Sequence, residues 1–258
     1  PALERALNAI ITRHETLRTT LRPSDGKLCQ LIAREMPFCI HFTRLPANNG
    51  ATELLTKDFL RCESAKPFDL EKGPLLRANL LQIRNDEHVF LMVVHHSISD
   101  GWSLGVLFGE LSEFYRAFAS DKANPNVPEL PMQHADYCRW QREFMSEARL
   151  ESELSWWEES LAGAPGEVSF PKPSRKRYWS GKPAATHELR FSKSMVRAVE
   201  SFARRQRVTP FMLFLSALSI ALNKWTGQKD LVIGTVGPRR KDPGYLAASL
   251  GNSVLGQF

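Results

Sequence analysis

The sequence predicts a mixed α/β fold, with strands and helices alternating but without a regular βαβ rhythm. Three observations carry this expectation. Apolar residues recur at helical spacing in several segments, as in Leu3, Leu7, Ile10 and Ile11. Between those segments lie short apolar runs of strand length, at 75–84 and 88–96. Turn residues separate the two kinds of segment, and no internal repeat is present.

Taken in order, residues 2–17 read as an amphipathic helix. Residues 18–34 read as a hairpin with Ser24-Asp25-Gly26 at its turn. Phe38, Ile40 and Phe42 alternate as in a half-buried strand, and 51–63 return to helical period. A loop follows, Pro67-Phe68-Asp69-Leu70 and then Gly73-Pro74. The runs 75–84 and 88–96 form a second hairpin across Asn85-Asp86-Glu87. Residues 102–118 carry a helical stripe of Leu104, Leu107, Leu111, Phe114 and Tyr115. Residues 133–161 form one long or broken helix. A Pro- and Gly-containing stretch marks a lobe boundary within 162–184. Beyond it we expect strands near 186–192 and 230–236 and helices near 193–206 and 210–225.

The chain has 258 residues, 43% hydrophobic and 24% charged, which is ordinary globular composition. Its charge of +6 is scattered, apart from a cluster at Lys172, Arg175, Lys176 and Arg177. That cluster reads as a solvated linker, or as a docking patch for an acidic partner. No basic stripe interleaved with aromatics is present, so no nucleic acid is expected as a partner. Cys29, Cys39, Cys62 and Cys138 have neither paired nor metal-ligand spacing, so free thiols and a cytoplasmic setting are expected. No apolar run reaches the roughly eighteen residues of a membrane span, and no membrane partner is expected. The opening Pro-Ala-Leu-Glu reads as the interior of a longer chain.

The chemistry centres on Val93-Val94-His95-His96-Ser97-Ile98-Ser99-Asp100-Gly101-Trp102-Ser103-Leu104. Two histidines end an apolar strand, and a helix starts after Asp-Gly. Successive strand side chains point to opposite faces, so one histidine faces a reaction centre and the other packs inward. Asp100 suits a helix cap or an arginine partner. Gly101 allows an unusual backbone angle or a close ligand approach. Two other readings are weaker. Diverging neighbours are poor ligands for one ion, so no metal is expected. Gly101-Trp102-Ser103-Leu104-Gly105 matches the GxSxG of a hydrolase elbow, but that Ser must directly follow a strand. Here Ser103 falls in the first turn of the helix.

His95–Leu104, HHSISDGWSL, resembles the HHxxxDG signature of nonribosomal peptide synthetase condensation domains. Other segments resemble the family in its own order. They are TRHETLRT (12–19), PFDLEKGPLLR (67–77), ADYCRWQ (135–141), LSWWEESLAGAP (154–165) and LVIGT (231–235). There are departures. His134 stands where the YxDYAxWQ motif often has Tyr, and VGPRR (236–240) replaces PVAxR, so the family arginine is Arg239 or Arg240. The family's first strand is missing upstream, and LGQF (255–258) is similar to the first half of its GxFVN segment.

The resemblance implies a chloramphenicol acetyltransferase-like sandwich of two lobes with a tunnel between them. The first lobe would occupy 1–170, the linker 171–184 and the opening of the second lobe 185–258. It implies amide formation between two carrier-bound thioesters, with His96 as the catalytic residue. Its role is either general base or orientation of the amine. His95, Asp100, Gly101, Arg13 and Arg18 would be structural members of the motif, with Arg13 pairing Asp100. Trp102, Ser103 and Trp140 are substrate-channel candidates, although a buried core position is the default for Trp140. No cofactor is implied for the domain itself, since the substrates ride on the 4′-phosphopantetheine of carrier proteins. The implied partners are upstream and downstream peptidyl carriers and an adjacent adenylation domain. Aspartates would replace the histidines in a heterocyclisation domain, and an epimerisation domain usually lacks DGWSL. An ester-forming relative, or a non-catalytic partial module, are the alternatives.

Overall fold

The computed structural model describes residues 1–45, 52–120, 125–170 and 188–235. The expected linker, the basic cluster at 172–177, Arg239, Arg240 and LGQF lie outside the described residues. The described chain divides into two compact units, over residues 1–149 and 150–235.

In the first unit, α1 spans Ala2–Arg13 and buries Ala6, Leu7, Ile10 and Ile11. A short 3-10 turn, Glu15–Arg18, leads into the hairpin of β1 (Thr19–Ser24) and β2 (Lys27–Ile32). Asp25 and Gly26 have φ of 51° and 73°, as a type I′ hairpin turn requires. β3 is His41–Arg44, α2 is Thr52–Ala65, β4 is Leu76–Gln82 and β5 is His88–Val94. These three strands pair in the order β3-β4-β5, parallel and then antiparallel. α3, Gly101–Ala119, lays Leu107, Leu111 and Phe114 on the core beside α1 and the Leu75, Leu76 and Ala78 of β4 and its approach.

The strand expected through Phe38, Ile40 and Phe42 begins only at His41. The cause is local competition from α1. Asn8 Oδ1 accepts the Phe38 N–H at 2.9 Å, and Glu4 Oε2 accepts the Ile40 N–H at 2.9 Å. Those amides are taken by side chains, and the chain joins the sheet after them. Gly73 is fixed by two constraints, a φ of 65° and Thr20 Cγ2 only 2.8 Å from where a Cβ would stand. Beside it, Asp69 accepts the N–H groups of Glu71 (3.1 Å) and Lys72 (3.0 Å). Those backbone donors, Lys72 foremost, hold the Asp69 carboxyl below its usual range.

Residues 133–161 form two helices, α4 (His134–Phe144) and α5 (Glu147–Ser160). In the second unit, α6 (Lys193–Gln206) is capped by Ser192 and α7 (Pro210–Thr226) by Thr209, each accepting the N–H three residues on at 3.2 Å. α6 ends on Arg207 at φ 55°, and α7 ends on Gly227 at φ 75°. The two helices bend by 99°, and no single helix among the described residues is long and apolar enough to cross a membrane. The strands expected near 186–192 and 230–236 do not form over 188–192 and 230–235. Among the described residues neither segment has a neighbouring strand to complete its hydrogen bonds. Gln228 instead ties α7 to the segment after α5, with Oε1 accepting Ser169 N–H at 2.8 Å and Nε2 donating to Glu167 O at 3.3 Å.

Candidate active site

β5 hands the chain to the site. Its pairing continues one residue past the strand, because His95 N–H donates to Leu75 O at 2.9 Å. The chain then turns, with Ile98 N–H donating to His95 O at 3.1 Å. The two histidines therefore diverge through a turn rather than through strand alternation. Ile98 is buried and anchors the turn in the core.

His95 is half-buried, and its ring meets Phe68 edge-on at 5.8 Å. Its Nδ1 accepts the Ser97 N–H at 3.1 Å and lies 2.8 Å from Ser97 Oγ. A nitrogen that accepts a backbone N–H carries no proton, which assigns the ring hydrogen of His95 to Nε2. His96 is exposed. Its Nδ1 lies 2.9 Å from the carbonyl oxygen of Ser99 and must donate to it. In the neutral ring that bond selects the opposite tautomer, with the lone pair on Nε2.

Asp100 is the N-cap of α3. Its Oδ1 accepts Ser103 N–H at 2.8 Å and Ser103 Oγ–H at 2.6 Å. Ser103 is thus fully buried and turned toward Asp100. This corrects its placement among the channel candidates, and it removes the hydrolase reading, whose nucleophile must stand exposed. Gly101 is the first residue of α3, without positive φ, and a Cβ there meets nothing within 4 Å. No special backbone angle requires it. Trp102, beside it, is half exposed.

The expected Arg13–Asp100 pair is not formed. Arg13 Nε donates to Glu110 Oε1 at 3.2 Å, and its guanidinium also reaches Pro128 O. His14 Nε2 meets the other oxygen of the same carboxylate at 2.7 Å. Asp100 lies more than two turns of α3 away from Glu110, and the end of α1 faces the Glu110 level of the helix. Gln133 adds a further tie, accepting Glu15 N–H at 3.2 Å and donating to Arg13 O at 2.9 Å. Arg18 turns elsewhere, to Ala33 O and to Glu15 at 3.8 Å. Trp140 is not a core residue. It is 44% exposed, in an aromatic row on α4 between Tyr137 (5.5 Å) and Phe144 (5.1 Å).

Glu110, His14 and Gln133 were absent from the expected site. Glu110 did carry a signal, as a carboxylate on the buried face of α3 between Leu107 and Phe114. Cys138 is no substitute nucleophile. Its Sγ lies 3.4 Å from His134 Nε2, but burial pushes the thiol up, with Arg142 opposing weakly.

Because Asp100 acts as a cap, Asp100→Ala loses about 0.5–2 kcal/mol for that role. Asp100→Asn, which keeps the acceptor oxygen, recovers most of it. Thermal melts of the two variants measure the difference.

The sequence profile of the Condensation domain matches residues 1–256. Malpibaldin synthetase of Mortierella alpina is 35% identical over 242 residues, which are 93% of this chain and 4% of that protein. A linear gramicidin synthase of Brevibacillus parabrevis is 37% identical over 240 residues, 91% of this chain and 5% of that one. Among solved structures, the X-domain from teicoplanin biosynthesis superposes with a TM-score of 0.82 at 26% identity, over 97% of this chain and 55% of that one. SgcC5 of Streptomyces globisporus gives 0.76 at 26% identity, over 97% and 56%. The chain thus spans about half the length of these solved structures and a small part of the synthetases. It belongs to the Condensation domain family of nonribosomal peptide synthetases. Over the part it spans, it has their chloramphenicol acetyltransferase-like fold.

Proposed function

We propose that this chain contributes the histidine-bearing half of a condensation site that joins two carrier-bound thioesters through an amide bond. The amine nitrogen of the acceptor attacks the donor thioester carbonyl. The C–N bond forms, the C–S bond breaks, and the nitrogen's proton ends on the departing thiol. His96 is the residue placed at this transfer. The observation that supports it most is the His96 Nδ1 bond to Ser99 O at 2.9 Å, which occupies Nδ1 and makes Nε2 the ring nitrogen assigned to the amine.

An α-amino group titrates near ~7.7–8 when unperturbed, so much of it is already neutral near pH 7. Nε2 therefore has two tasks: to orient the amine N–H, and to take its proton as the tetrahedral centre forms. No acyl-enzyme is needed, in keeping with a buried Ser103 and a Cys138 thiol held neutral. The substrates arrive on the phosphopantetheine arms of carrier proteins, with an adenylation domain loading the acceptor. The large synthetases similar to this chain favour this reading over an ester-forming one.

The test offers the donor thioester two acceptors, a carrier-bound aminoacyl thioester and a free alcohol. The rest of the condensation fold is supplied in cis. The expected product is the amide on the acceptor carrier. Ester alone would transfer the reading to the related acyltransferases.

A further inference from the structure

The segment from Pro67 to Arg77 has no part in the reaction as described, yet it touches the histidine turn. Arg77 lies on β4 opposite Val93, two residues before His95. Its side chain reaches back to the end of α2. Nη2 donates to the carbonyls of Lys66 at 2.6 Å and Glu63 at 3.3 Å, and Nη1 to that of Pro67 at 3.2 Å. α2 has no basic residue in its own last turn. Its unpaired carbonyls and negative end take their cation from the neighbouring strand.

The same guanidinium lies over Phe68, 3.8 Å from the ring centroid. Phe68 in turn meets the His95 ring edge-on, with centroids 5.8 Å apart and planes at 81°. The guanidinium is also held at a cost, since Arg77 Nε is buried with no partner among the described residues. Three planar groups are therefore in series, and the last accepts the Ser97 N–H that shapes the turn.

We propose that Phe68 and Arg77 are positioning residues for the condensation reaction: they fix the plane of His95, and through the His95–Ser97 turn they set the direction of His96. The proposal rests on His96 as the reacting group. Rotation of the His95 ring breaks its bond to Ser97, and the Phe68 ring blocks that rotation. Arg77 fixes the Phe68 ring by stacking. A planar fork is required, because an ammonium cannot reach three carbonyls and stack at once. Loss of this support disturbs the near-attack geometry at His96 and leaves carrier docking untouched.

The experiment compares wild type with Phe68→Leu, Phe68→Tyr and Arg77→Lys, again with the rest of the fold in cis. Two readouts are taken: the kcat and KM of amide formation, and the ring ¹⁵N signals of His95 and His96. Phe68→Leu and Arg77→Lys lower kcat about three- to tenfold with KM within about twofold, the size expected for one aromatic contact. Phe68→Tyr restores it. In the two weakened variants the Nδ1 signal of His95 leaves the acceptor position. Should Phe68→Leu not fold, Arg77→Lys carries the same test. Folded variants with unchanged kcat and unchanged His95 signals overturn the proposal. A rise in KM alone also overturns it. If wild type forms no amide, the functional reading fails, and the ¹⁵N signals still decide the positioning.

Discussion

His96→Ala lowers amide formation by about 10²–10⁴-fold, the usual contribution of a positioned acid–base group. The side chain is exposed, so the protein stays folded. Its thermal midpoint moves by no more than about 2 °C, as for other surface substitutions in a domain of this size. His96→Asn separates the two roles of the ring. The Asn amide stands near the Nδ1 position and keeps a donor for Ser99 O, while the Nε2 lone pair is lost. Both tasks of Nε2 are then lost while the Ser99 bond is kept, so His96→Asn is as slow as His96→Ala. His95→Ala behaves differently, since its ring accepts Ser97 N–H and packs on Phe68. It loses stability together with rate. A His95→Ala protein as stable as wild type but inactive would reverse the assignment of the two histidines.

The second large effect is on folding. Glu110→Ala leaves Arg13 and a His14 that is 1% exposed without their shared carboxylate. Breaking such a buried set by removing one member costs about 3–5 kcal/mol. That corresponds to a midpoint lower by roughly 10 °C for a domain of this size. Glu110→Gln keeps an oxygen for one of the two donors and loses less. Chemical and thermal unfolding of the two variants measure the ranking, and equal losses would show that the charge of Glu110 contributes nothing. Gln133→Ala has a smaller effect, because it releases the tie between α4 and the end of α1 and its share of the α4 capping box, but strands no buried charge.

What the sequence made legible was local. The hairpin around Asp25-Gly26, the α3 stripe and the capped starts of α6 and α7 follow from turn chemistry and helical period, and the structure has them. The placement of the histidines at the end of β5 was legible for the same reason. The start of β3 was not, because Asn8 and Glu4 compete for its amides from thirty or more residues away. The partner of Arg13 was not legible either. The pairing spans 97 positions, and no periodicity encodes which level of α3 meets the end of α1. The resemblance pointed to Asp100, and the helix register points to Glu110. The exposure of Trp140 escaped the reading because an aromatic at helical spacing reads as core, and here the row on α4 packs along its own helix.

The most direct measurement is the mass of the acceptor carrier after a single turnover. Two carriers are loaded with aminoacyl thioesters, and wild type and His96→Ala are run side by side with the rest of the fold supplied in cis. The account predicts a dipeptidyl carrier from wild type and only the unchanged aminoacyl carrier from His96→Ala, with both proteins folded. Equal product from the two would remove His96 from the reaction, and no product from either would contradict the condensation activity itself.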